Sequence, residues 1–216
     1  MTADPEITLR ADARRNRDQI IAAARVIFAD EGPEAPMEEI ARAAGVGVGT
    51  LYRRFPDRDA LIRAVAVENF ERVLIDARAA AAEKSTAWQA LEWLLHHSVE
   101  LQLSIQLAML SPRALVILKT DPQIRKHRAE LMDLLSDLVR GAQNEGVLRA
   151  DVAAGDIAMM CAVLMRQIRA KSEDVARMAA ERCVGIMLDG LRARPGTPLP
   201  GRALTADDLD MLRQQQ

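Results

Sequence analysis

Aromatic residues make up only 3% of this 216-residue chain, and cysteine occurs twice. Cys161 and Cys183 lie inside apolar helical patterns and away from metal-ligand spacing, so they read as buried structural thiols. Long apolar runs are missing: none approaches the ~20 residues of a membrane-spanning helix. The opening MTADPEITLR lacks the apolar core of a signal peptide, and the chain is expected to be cytoplasmic, with no membrane partner. No run of β-branched residues alternates with polar ones, which excludes a sheet. No glycine-rich phosphate loop, nucleophile elbow or zinc spacing occurs. No catalytic residue, no metal and no cofactor is therefore implied, and the chain does not read as an enzyme. A net charge of −2 excludes a blanket electrostatic footprint for nucleic acid.

What is present favours helix. The chain is 50% hydrophobic and 28% charged, enough for one or two small domains with a real core. Alanine, leucine, methionine, glutamate and arginine supply much of it. The most informative stretch is MEEIARAAGVGVGTLYRRFPDR, from Met37 to Arg58. Ile40, Ala41 and Ala44 give a first short helix its apolar stripe. Gly45 stops it, since glycine takes the left-handed conformation at little steric cost. Val48, Leu51, Tyr52 and Phe55 recur at i, i+3, i+4, i+7, so a second helix is amphipathic, and Pro56 ends it. Two such helices around a glycine turn make a helix-turn-helix, whose second helix can enter the major groove of DNA. The same geometry also occurs in cores that touch no nucleic acid. Three features favour DNA: tiny Ala41 where the helices must pack closely, donors at Thr50, Arg53 and Arg54, and a basic cluster of Arg14, Arg15 and Arg17 on the preceding helix.

From about Arg14 to Val73 the chain resembles the N-terminal domain of the TetR family of transcriptional regulators. The strings that carry the resemblance are RDQIIAAARVIFADEG and MEEIARAAGVGVGTLYRRFPDRDALIRAV, and GTLYRRFPDRDALI is the most specific part. The resemblance implies a homodimeric repressor released from DNA by a small effector. Gly47, Val48, Gly49 and Thr50 would let the backbone approach the bases. Arg53 and Arg54 would read bases or clamp phosphates, and Arg14 and Arg15 would add to the basic surface. By resemblance, Thr50 and Tyr52 match positions that contact the DNA backbone, and Arg58 a position often basic for the same reason. Two departures stand out. Val48 replaces a commonly polar or basic residue, and an apolar contact to a thymine methyl would substitute for a hydrogen bond there. Pro36 and Met37 stand where threonine or serine often begins the second helix and holds a phosphate.

The whole reads as an all-α chain of about nine helices. An N-terminal three-helix DNA-binding domain with a disordered arm covers residues 1–56. An effector-binding and dimerising helical bundle covers 57–194, and a C-terminal tail, with one short helix started by Thr205, covers 195–216. Asp57 is expected to cap a long fourth helix, Ser85 or Thr86 the fifth. Ser111-Pro112 and Asp121-Pro122 look like restarts. Helix 5 carries Leu91, Leu95, Ser98, Gln102, Ile105 and Met109 on one stripe. Ser98 and Gln102 interrupt it, and either line a small-molecule pocket or bond to backbone inside the bundle. Gln106, Met109, Met160, Leu164 and Gln167 are the neighbouring candidates for a small, mostly apolar effector. Helices 8 and 9 have wide apolar faces, enough for a homodimer through a four-helix interface on a two-fold symmetric operator. Glu92, His96 and Glu100 share a face, which is read as solvated rather than as a metal site. Two rival readings remain: an enzyme or transport-type binding module that carries a helix-turn-helix, and a structural dimer whose pocket is filled by side chains.

Overall fold

The computed structural model describes residues 5–97, 111–167, 173–194, 196, 198–205 and 207–209. Among them lie nine helices: α1 (Pro5–Asp30), α2 (Met37–Ala43), α3 (Val48–Arg54), α4 (Arg58–Glu83), α5 (Ala87–His97), α6 (Pro112–Thr120), α7 (Pro122–Asn144), α8 (Ala154–Gln167) and α9 (Glu173–Leu191). The described residues hold no strand, only an isolated antiparallel bridge between Leu148 and Arg192. The expected all-α class is what the structure has.

Most helix boundaries follow from capping chemistry. Asp57 accepts the Ala60 N–H at 2.7 Å and so starts α4. Thr86, rather than Ser85, caps α5 by accepting from Gln89 N–H at 3.1 Å. Ser111 caps α6 ahead of Pro112. Asp121 accepts from Gln123 and Ile124 at the start of α7. These side chains satisfy amide donors that have no partner inside their own helix. One boundary differs from expectation: α1 begins at Pro5, so residues 5–10 are helical rather than an irregular arm. Proline at a first helical position loses no hydrogen bond, and nothing between Glu6 and Glu31 is glycine or proline.

The described residues group into two compact units. The first runs to Asn69 and includes α6 and the start of α7, to Arg125. The second takes Phe70–His97 and the residues from Lys126 onward. The first half of α4 and α6 are tied to each other by side-chain pairs: Arg113–Asp59 and Arg63–Asp121, each at 2.9 Å. In the second unit, Trp88, Leu91, Leu94 and Leu95 of α5 close a core with Leu135, Leu138 and Val139 of α7, Ile157 of α8, and Val184, Met187, Leu188 and Leu191 of α9.

Two thiols depart from the sequence reading. Cys161 and Cys183 are half-buried rather than fully enclosed. Both lie at the margin of a helix face, where a small residue meets core on one side and surface on the other.

The tail after α9 folds back onto the second unit. Arg149 forks onto Asp151, with Nε to Oδ1 at 2.6 Å and an Nη to Oδ2 at 2.8 Å, and the same carboxylate accepts from Leu199 N–H at 3.0 Å. The Arg149 bonds, then that amide, hold Asp151 well below the usual carboxylate range. Thr205 and Asp208 form a reciprocal cap: Asp208 accepts from the Thr205 amide and hydroxyl at 2.8 Å each, and Thr205 Oγ1 accepts from Asp208 N–H at 3.3 Å. Asp156 reaches across, accepting from Ala153 and Leu204 N–H at 2.8 and 3.1 Å. Gly155 makes this docking sterically feasible, because a Cβ there would stand 2.2 Å from the Leu204 carbonyl oxygen. Gly155→Ala should therefore lower folding stability by about 1–3 kcal/mol through overpacking. Thermal denaturation checks this, and an unchanged midpoint would mean that the tail does not sit against α8.

Candidate nucleic-acid interface

The turn between α2 and α3 sets the geometry of the site. Gly45 adopts φ +67°, in the left-handed region. Its N–H donates to Arg42 O at 3.1 Å, and Val46 N–H reaches back to Ala41 O at 3.0 Å. These paired bonds satisfy the last carbonyls of α2 and reverse the chain within three residues. Ala41 is fully buried at the helix junction, alongside Ile40, Leu51 and, from α1, Ile20, Ala24 and Phe28. The small side chain expected there is where the packing needs it. Gly47 begins α3 with no side-chain cap, its carbonyl accepting from Thr50 and Leu51 at 2.8 and 3.1 Å. Phe55 leaves helical backbone angles (φ −129°, ψ 94°) just before Pro56.

α3 is amphipathic in a different way from its sequence pattern. Leu51 and Phe55 are buried, at 0% and 4% exposure, but Val48 and Tyr52 remain 39% and 41% exposed. Seven residues give only two turns, and successive residues turn by about 100°. Leu51 fills the inner side, which rotates Val48 and Tyr52 off it.

The arginines divide by what they touch. Arg53 donates to Thr50 Oγ1 at 3.1 Å, along the exposed side of α3. Arg54 donates to Ala13 O at 2.8 Å, tying α3 to α1. Arg14 and Arg15 are exposed on α1, and Arg15 stands 3.7 Å from Asp12, a loose surface pair. Arg58 sits apart from these. Its side chain is only 19% exposed. It donates to Pro33 O at 2.8 Å and to Ala35 O, with Glu34 at 3.9 Å. A residue matched by resemblance to a DNA-backbone position is thus occupied in pinning the α1–α2 connection. At α2, Pro36 makes no side-chain cap, and Glu38 and Glu39 follow in the first turn. No hydroxyl stands where a phosphate anchor was considered.

Several partners in this unit left no trace in the sequence. The Ala13 carbonyl beneath Arg54, and Ser111 donating to Glu34 at 3.2 Å, join residues far apart in the chain.

The expected effector-lining residues are distributed unevenly. Leu91 and Leu95 are enclosed in the core of the second unit, and Leu164 is half-buried against it. Met160 is 41% exposed. Ser98, Gln102, Gln106 and Met109 lie outside the described residues, as does the Gln167 side chain. Of the solvated stripe, Glu92 is half-buried and His96 exposed, and Glu100 lies outside the described residues. His97 stacks on Trp93 at 3.9 Å between ring centroids and bonds to its carbonyl at 2.8 Å.

Comparison with known proteins agrees with this geometry. Residues 20–65 match the model of bacterial regulatory proteins of the tetR family. Residues 89–193 match the model of the SbtR-like transcriptional regulator C-terminal domain. The chain is 27% identical to the HTH-type transcriptional regulator UidR of Escherichia coli over 203 residues, 87% of this chain and 95% of that protein. It is similar to the crystal structure of a TetR transcriptional regulator from Streptomyces coelicolor, with 31% identity, a TM-score of 0.65, and coverage of 82% of this chain and 98% of that one. A TetR regulatory protein from Mycobacterium vanbaalenii shows 32% identity, a TM-score of 0.60, and coverage of 85% and 99%.

The Arg58 geometry carries a consequence for folding. Arg58→Ala removes the charged donor from two loop carbonyls and should destabilise the protein by about 1–3 kcal/mol. A thermal melt of the variant measures it. A midpoint equal to that of the unaltered protein would show that the clamp contributes nothing.

Proposed function

Because this chain belongs to the TetR family of transcriptional regulators, which bind DNA and are not enzymes, we propose that it is a homodimeric, cytoplasmic repressor. It grips a two-fold symmetric operator and releases it when a small, mostly apolar effector binds. Each protomer presents α3 to one major groove, with the two recognition helices about 34–36 Å apart on one face of the duplex. Gly47, Gly49 and Thr50 admit the DNA closely. Arg53, Arg54, Arg14 and Arg15 supply cationic contacts, and Tyr52 meets the backbone. Arg58 supports the site from behind.

The observation that carries the dimer reading is a set of bare apolar side chains on the last two helices. α9 leaves Val175, Met178 and Ile186 exposed at 49%, 54% and 70%, and α8 leaves Met160 and Val163 at 41% and 51%. The opposite side of α9 fills the core through Val184, Met187, Leu188 and Leu191. A helix apolar on two sides has one face for its own unit and one for a partner. Gly185 and Gly190 add room, since a Cβ at either would meet nothing within 4 Å. Arg182 and Asp189 flank a shallow depression beside Ile186 and supply opposite charges for a symmetric partner.

The release step needs a ligand that binds one conformation better than the other. α4 is one uninterrupted helix from Arg58 to Glu83, contributing to both compact units. It is the element through which an effector held beside α5 and α8 would bias α3. The coupling is reciprocal, so operator DNA would weaken effector binding by the same factor.

Ile186→Glu tests the dimer and the operator geometry together. Ile186 is 70% exposed in the single chain, so the variant should fold normally, yet a glutamate buried without a partner would split the dimer. Light scattering should show a dimer for the unaltered protein and a monomer for the variant. Affinity for DNA from beside its own gene should fall about tenfold or more, because two linked half-sites no longer act together. A monomeric unaltered protein, or a variant that still pairs, would overturn the reading.

A further inference from the structure

The outer side of α3 carries an apolar side chain that the first unit leaves partly exposed. Val48 and Tyr52 lie at i and i+4, one above the other, and are 39% and 41% exposed. Val48 is flanked by glycines. A Cβ on Gly49 would meet nothing within 4 Å, and one on Gly47 would meet only Thr50 Oγ1, at 4.0 Å. The isopropyl group therefore stands clear of other side chains, on a helix with no carboxylate of its own.

The polar groups around it have prior engagements. Thr50 Oγ1 accepts from Arg53, and Arg54 is drawn toward the Ala13 carbonyl on α1. Neither guanidinium is held over Val48. The side chain that projects between the glycines thus offers methyl groups and no side-chain donor. In the major groove the bases present hydrogen-bonding groups and one methyl group, on C5 of thymine. Cytosine carries only a hydrogen at C5, and so would leave the isopropyl group without that contact.

We propose that Val48 selects a thymine in each operator half-site by packing against its 5-methyl group. The inference rests on α3 entering the major groove, and it names the base-edge chemistry that this helix prefers. Sequence preference at this position then comes from apolar contact, while the nearby arginines hold the duplex without regard to sequence.

Deoxyuridine substitution tests it, because uracil pairs as thymine does and lacks only the methyl group. Each thymine of an operator half-site, recovered by selection from randomised duplexes, is replaced in turn. Affinity should fall about fourfold at one thymine per half-site, the worth of burying one methyl-sized group. It should stay level at the others. In Val48→Ala the profile should flatten at that thymine alone, with overall affinity reduced to match. Alanine is the better helix former and the position is exposed, so the variant keeps its fold. Unaltered protein indifferent to uracil at every thymine, or a Val48→Ala profile identical to it, overturns the proposal and leaves the DNA-binding reading intact. Failure of the unaltered protein to enrich any duplex sequence would overturn both.

Discussion

The reach of Val46 N–H back to the Ala41 carbonyl, over Gly45 at positive φ, is the constraint on which the DNA-binding unit depends. It ends α2 and starts α3 with four residues between them, and it fixes the side α3 turns outward. Any L-residue with a side chain is strained at φ +67°. Ala41 is the companion requirement: it is buried at 0% where the helices come together, and a larger side chain would push α3 away. The exposed ridge of Val48 and Tyr52 and the reach of Arg53 follow from that one turn.

Around this turn the charged residues do two kinds of work. Arg58 and Arg54 spend hydrogen bonds on backbone carbonyls of the same unit, at Pro33, Ala35 and Ala13. Arg63 and Arg113 pair with Asp121 and Asp59 and bring α4 and α6 together. Arg14, Arg15 and Arg53 keep exposed guanidiniums. A nearly neutral chain can therefore present local positive charge to DNA while using its other arginines as struts.

What could be read from the chain alone was whatever is local. Gly45, Asp57, Ser111 and Asp121 mark helix ends because their chemistry acts within four residues, and each does so in the structure. The stripe of Ile20, Ala24, Ile27 and Phe28 is likewise buried as its spacing implies. Periodicity overstated burial at α3, because Leu51 and Phe55 fill the inner edge of the apolar stripe and leave Val48 and Tyr52 on its outer edge. It also could not distinguish Arg58 as a strut from Arg58 as a DNA contact, since both need the same charge. The tail's docking depends on Gly155 meeting Leu204, a contact between residues far apart in sequence that no pattern announces.

The central claim is that α3 of each protomer enters a major groove of one operator. Dimethyl sulfate footprinting reads this directly, because it marks guanine N7 in the major groove and adenine N3 in the minor groove. Protection of guanine N7 in two tracts, with centres one helical turn (about 10–10.5 base pairs) or a whole multiple of it apart, is the predicted result. Protection confined to adenine N3, or a single unpaired tract, would contradict the account.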